Sequence, residues 1–139
     1  MVSTPDLKEN LVTANRLIKA AANDGAKVIA LPEYFCLMGL KDTDKVRARE
    51  SFGSGPIQEQ LAAAAKENEI YLIAGTIPLK AQDEGKVLNT TLAFDPKGNR
   101  IGRYDKIHLF GFQTNTERYQ ESETIEAGEV PSLLKISID

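Results

Sequence analysis

Cysteine, histidine and long apolar runs are scarce in this chain of 139 residues. It holds one cysteine, Cys36, and one histidine, His108. A single thiol excludes an internal disulfide framework and suits a reducing compartment such as the cytoplasm. One Cys and one His also leave no metal cluster of the usual ligand spacing, so neither a metal nor another cofactor is expected. No apolar stretch approaches the roughly 20 residues that a membrane helix needs. Met1 to Leu11 carries Asp6, Lys8 and Glu9 where a signal peptide would have an apolar core. A large excess of one sign of charge is missing as well. Against 20 Asp and Glu stand 17 Lys and Arg, a net charge of −3. That balance gives no electrostatic case for a nucleic-acid or membrane-surface partner. What remains is an ordinary globular composition, 42% hydrophobic and 27% charged, in a length usual for one domain.

The periodicity predicts an α/β order. Leu7, Leu11, Ala14, Leu17, Ile18 and Ala21 recur at helical spacing within Asp6–Asn23. Asp6 and Glu9 form a capping-box pattern at its start, and Gly25 is suited to the left-handed turn after its end. Val28 to Leu31 reads as a strand buried on both faces and ended by Pro32. A looser stretch with a short helical turn spans Met38 to Ser54. Gly55-Pro56 opens a second helix through Glu67, with proline where no amide hydrogen is needed. Ile70 to Ala74 is a second buried strand, ended by Gly75-Thr76. Leu88 to Phe94 and Arg100 to Ile107 make a hairpin about the Asp95-Pro96-Lys97-Gly98 turn. A polar loop is expected from Gly111 to Pro131, then the start of another strand over Leu133 to Ile138. The first helix begins with no strand before it, and the last strand stops at Asp139. The expectation is a domain cut at both ends.

Several residues carry chemistry in principle. Glu33 falls just past a strand's carboxyl end, where open α/β sheets place functional groups. A general base there needs a partly desolvated setting, and a surface glutamate after proline fits the position as well. Lys106, near the end of the fourth strand, suits a donor to a carbonyl oxyanion or a solvated partner of Asp105. Glu121, in Tyr119-Gln120-Glu121-Ser122, is locally one loop acid among several. Cys36 lies between Phe35 and Leu37 with no neighbouring cation to lower its pKa, which reads as a small buried hydrophobe. His108 alternates between Ile107 and Leu109 and reads as a satisfied structural histidine. Gly53-Ser54-Gly55-Pro56 lacks the lysine and the length of a phosphate-binding loop and reads as a helix-start turn.

Leu31-Pro32-Glu33-Tyr34-Phe35 and Tyr104-Asp105-Lys106-Ile107-His108-Leu109-Phe110, about seventy residues apart, together resemble the carbon–nitrogen hydrolase (nitrilase) superfamily. Leu88-Asn89-Thr90-Thr91 and the Asp95–Gly98 turn fit the same pattern, and the likeness runs over essentially the whole chain. Within the superfamily the chain is similar to the omega-amidase and deaminated-glutathione-amidase branch, although Gly111-Phe112-Gln113-Thr114 departs from it. The resemblance implies a four-layer α-β-β-α sandwich, of which this chain would hold about half, lacking the first strand and the C-terminal half. It implies an incomplete carbon–nitrogen hydrolase domain over residues 1–139, inactive by itself. Glu33 matches the family's general base, Lys106 its catalytic lysine and Glu121 its second active-site glutamate. The nucleophilic cysteine would follow Leu133–Ile138, beyond this chain. The expected partner is a small linear amide, with a homodimer or higher oligomer for the full-length protein. A nitrilase or carbamoyl-amide hydrolase of the same family is the alternative chemistry. A non-catalytic half-domain binding a small acid or a protein is the alternative of another class.

Overall fold

The computed structural model describes residues 1–138. Its first helix, α1 (Leu7–Asn23), turns Asn10, Leu11, Ala14 and Ile18 inward. The Asp6 carboxylate caps it by accepting from the Glu9 amide at 2.9 Å. The reciprocal half of the capping box is diverted through Thr4. Its hydroxyl accepts from the Asp6 amide at 3.2 Å and donates to the Glu9 carboxylate at 3.4 Å. Gly25 closes the helix at φ +94°, with the Ala26 amide returning to the Ala21 carbonyl at 3.0 Å.

Strand β1 (Val28–Ala30), the short helix α2 (Asp44–Arg47) and helix α3 (Pro56–Glu67) follow. Then come β2 (Tyr71–Lys80), β3 (Val87–Phe94) and β4 (Arg100–Asp105). Two short strands, β5 (Gly111–Gln113) and β6 (Arg118–Gln120), precede a 3-10 turn at Glu121–Glu123 and β7 (Ile125–Glu126). The main sheet is mixed. β1 runs parallel to β2, β2–β3–β4 is antiparallel, and β7 lies parallel to the start of β3. The core forms where α1 and α3 cover one sheet face. Leu11, Ala14 and Ile18 from α1 and Ile57, Leu61 and Ala65 from α3 pack on Leu72, Ala74, Ile77, Leu79, Leu92 and Phe94. One layer of helices on one layer of sheet is an α/β arrangement.

Several expectations are corrected. β2 does not stop at Gly75-Thr76. Its register with β3 shifts between Ala74 and Ile77, so the glycine marks a bulge inside a ten-residue strand. β1 is not buried on both faces: it pairs with β2 alone, and Val28 and Ala30 are exposed. The Gly111–Pro131 loop contains the β5–β6 hairpin, the 3-10 turn and β7. Residues 132–138 form no strand. Ser132 and Leu134 instead lie over the second sheet face, beside Ile73, Thr91, Ala93 and Gly102.

The start of α3 is capped by a side chain from the segment just before it. Gly55 has no side chain to offer, and the Glu50 carboxylate takes that place. It accepts from the Ile57 amide at 2.6 Å, the Gln58 amide at 3.2 Å and the Gln58 side chain at 3.1 Å. An anion at a helix N-terminus also complements the helix dipole. Glu50 is 8% exposed, so its loss strands buried donors. Glu50→Ala is therefore expected to cost about 2 kcal/mol of stability, read as a lower denaturant midpoint at unchanged slope. A midpoint equal to the parent protein's contradicts this account of the cap.

Candidate active site

Glu33 sits in a turn that the bulge in β2 makes room for. The Leu31 amide donates to the Ile73 carbonyl at 2.9 Å, continuing the β1–β2 ladder by one residue. Gly75, at φ +39°, then admits the Leu31–Phe35 turn onto β2. A Cβ at this position would collide with the Pro32 carbonyl oxygen and come within 2.9 Å of the Phe35 ring. Next to it, the Thr76 hydroxyl accepts from the Tyr34 amide at 2.9 Å. That bond helps hold Tyr34 at φ +53°, a left-handed conformation uncommon for a bulky residue. From α1, the Asn10 side-chain Nδ2 donates to the Cys36 carbonyl at 2.9 Å and ties down the far side of the turn.

Lys106 follows β4 directly. Its amide donates to the Asn89 carbonyl on β3, and its carbonyl accepts from the Gly128 amide, each at 2.9 Å. Glu121 starts the 3-10 turn after β6 and is locked to Phe110 twice. The Glu121 amide donates to the Phe110 carbonyl at 3.0 Å, and the Phe110 amide donates to Glu121 Oε2 at 2.7 Å.

These backbones bring three side chains from distant positions together. Lys106 Nζ lies 3.1 Å from Glu33 Oε1, and 3.2 and 3.0 Å from the two carboxylate oxygens of Glu121. Asn89, buried on β3, donates its side-chain amide to the same Glu33 oxygen at 2.7 Å. The two carboxylates differ sharply in setting. The Glu33 side chain is 49% exposed and that of Glu121 6%. The desolvated surroundings expected for Glu33 are thus found at Glu121. Burial works to lower the pKa of Lys106, but the hydrogen bonds and charges of Glu121 and Glu33 outweigh it and hold the lysine above its ordinary value. Lys106 is therefore an ammonium at neutral pH, a hydrogen-bond donor and not a base.

The other candidates fall elsewhere. Cys36 is 1% exposed, and burial pushes its thiol up to about 12, far from a reactive thiolate. His108 is exposed. No group of three metal-ligating side chains occurs among the described residues, and no helix among them is long and apolar enough to cross a membrane. Asn89, Thr76 and Tyr34 were not singled out by sequence. Only Asn89 carried a signal, because asparagine is depleted in strand interiors and marks one that has a polar task.

The carbon–nitrogen hydrolase family model matches residues 1–138. The chain belongs to the carbon–nitrogen hydrolase family. An omega-amidase from Xenopus tropicalis is 40% identical over 127 residues, covering 91% of this chain and 45% of that protein. A deaminated glutathione amidase from Synechocystis is 34% identical, over 93% of this chain and 47% of the relative. The Caenorhabditis elegans NitFhit protein superposes with a TM-score of 0.80 at 28% identity, over 93% of this chain and 32% of that one. Saccharomyces cerevisiae Nit3, of the nitrilase superfamily, gives 0.77 at 27%, over 94% and 46%. The chain thus has a nitrilase fold and spans less than half the length of these relatives.

Removing one member of the buried pair tests its energetics. In Lys106→Met, Glu121 loses its counter-charge while remaining enclosed. Because Lys106 keeps 23% exposure, the expected loss is about 2 kcal/mol, below the roughly 3–5 kcal/mol of a fully buried pair. In Lys106→Met/Glu121→Gln the glutamine still accepts from Phe110, and about half of the loss is expected to return. Urea unfolding of the set decides the matter, and additive losses in the double variant contradict it.

Proposed function

We propose that residues 1–139 form the N-terminal portion of a carbon–nitrogen hydrolase domain, in a protein that hydrolyses small linear amides of the omega-amide type. The observation that carries this reading is the Lys106 ammonium shared between an exposed carboxylate, Glu33, and a buried one, Glu121. The asymmetry supports a division of labour. An exposed carboxylate can reach a nucleophile or water and take its proton, whereas an enclosed one can only orient its neighbour.

In the mechanism the family implies, Glu33 accepts a proton from a cysteine thiol outside this chain, and the thiolate attacks the amide carbon. Lys106, kept protonated, donates to the oxyanion of the tetrahedral intermediate. Ammonia leaves with a proton returned through Glu33, forming a thioester. Glu33 then deprotonates the water that hydrolyses it. Glu121 serves as a positioning residue, grasping Lys106 from the enclosed side. Asn89 fixes the Glu33 oxygen that faces the lysine. The omega-amidase relatives support the amide class, and a nitrile panel separates it from the nitrilase alternative.

Ammonia release by the gene product, as its gene encodes it, tests the roles. Glu33→Gln and Lys106→Ala are each expected to lower kcat by at least about 10²-fold, the usual contribution of a general base or an oxyanion donor. Cys36→Ala is expected to retain turnover. Near-parental ammonia release in Glu33→Gln or Lys106→Ala, or its abolition in Cys36→Ala, contradicts the reading.

A further inference from the structure

Two carboxylates hold the Lys106 ammonium, and a separate device holds the residue before it. On β3, Leu88, Leu92 and Phe94 pack in or against the core beneath the helices, and Thr90, between them in the two-residue period, is fully buried on the same face. Antiparallel pairing sets Asp105 opposite Thr90 and Arg103 opposite Leu92, so the Asp105 and Arg103 side chains lie on this face too. Lys106, one residue on, turns to the other side of the sheet, where Asn89 meets Glu33. Asp105 is thus the partner of Arg103 and Thr90, not of its neighbour Lys106.

The Asp105 carboxylate is clamped. The Thr90 hydroxyl donates to Oδ1 at 2.5 Å. The Arg103 Nε donates to both oxygens at 3.2 and 3.1 Å, and Nη2 lies 2.9 Å from Oδ2. A guanidinium fork of this kind fixes direction as well as charge. The fork is itself braced, with the Arg103 guanidinium 4.4 Å from the centroid of the Phe52 ring. From outside, Gly128 passes so close that a Cβ there would collide with the Asp105 carbonyl oxygen. β4 ends the strand order of its sheet, so its outer edge lacks a strand partner and its last residue frays easily unless held. Arg103 and Asp105 keep 31% and 22% side-chain exposure, and an ion pair in such a setting adds little stability. What it supplies is position.

We infer that Asp105, clamped by Arg103 and Thr90, is a positioning residue for Lys106: it fixes the end of β4 so that the ammonium reaches Glu33 and Glu121 at once. Its consequence for turnover rests on the amidase reading. An oxyanion donor displaced by about 1 Å forfeits up to about 10²-fold in rate.

The test reads the Lys106 side-chain titration by NMR, and ammonia release from succinamate, a short omega-amide, in the full gene product. As bare charges the two clamp residues act oppositely on Lys106: removing Asp105 lowers its midpoint and removing Arg103 raises it. As parts of one clamp they act alike. The expected result is that Asp105→Ala and Arg103→Met both bring the Lys106 midpoint down toward the ordinary lysine value of about 10.4. Both are also expected to lower kcat about tenfold or more, with KM changed by less than about twofold. An unchanged or raised midpoint in Arg103→Met overturns the inference, and that variant decides alone where Asp105→Ala fails to fold. A kcat unchanged in both variants overturns it as well, while leaving the amidase reading intact. If the parent protein turns over no amide, the amidase reading falls and the two midpoints decide the clamp.

Discussion

The ion pair of Lys106 with Glu121 is the constraint around which the rest of the site is arranged. A carboxylate with 6% exposure cannot be left without a counter-charge, and a lysine brought to it must give up much of its own hydration. The structure offsets both costs with fixed geometry. Glu121 accepts from Lys106 through both oxygens and from the Phe110 amide through one. The Lys106 backbone is held on both sides, by Asn89 and by Gly128. With the lysine position determined this way, Glu33 completes the arrangement from the solvent side.

Holding Glu33 there draws on the backbone more than on side-chain packing. The turn after β1 passes so close to β2 that only glycine fits at position 75, and Tyr34 adopts a left-handed conformation against its preference. Strain of this kind persists where surrounding contacts over-determine it, here the Thr76 hydroxyl, the Asn10 side chain and the buried Phe35. The bulge in β2 is therefore part of the site. It converts a regular sheet edge into a platform that presents a carboxylate toward the end of β4.

Much of this was legible in the sequence, for reasons that are local. The Asp6 cap, the Gly25 helix stop, Pro56 at a first helical turn and the Asp95–Gly98 hairpin are each set by residues within a few positions of one another, and each is found in the structure. The family pattern pointed to Glu33, Lys106 and Glu121 together, and the three lie within hydrogen-bonding reach. What escaped had no distinctive signature among its immediate neighbours in sequence. Gly75 looked like a strand end because a glycine bulge and a strand stop have the same local signature. Glu50 looked like one more charge in a mixed stretch, since nothing nearby shows that it caps a helix starting at Pro56. The β5–β6 strands are three residues each, too short for alternation to be visible.

The account depends most directly on Lys106 being held as a cation by two carboxylates, and titration of its side chain by NMR measures that property at the atom concerned. The predicted midpoint lies above the ordinary lysine value of about 10.4 and falls in Glu121→Gln, where the enclosed negative charge is gone. A midpoint at or below about 10.4 in the parent protein, or one that does not move in Glu121→Gln, would contradict it.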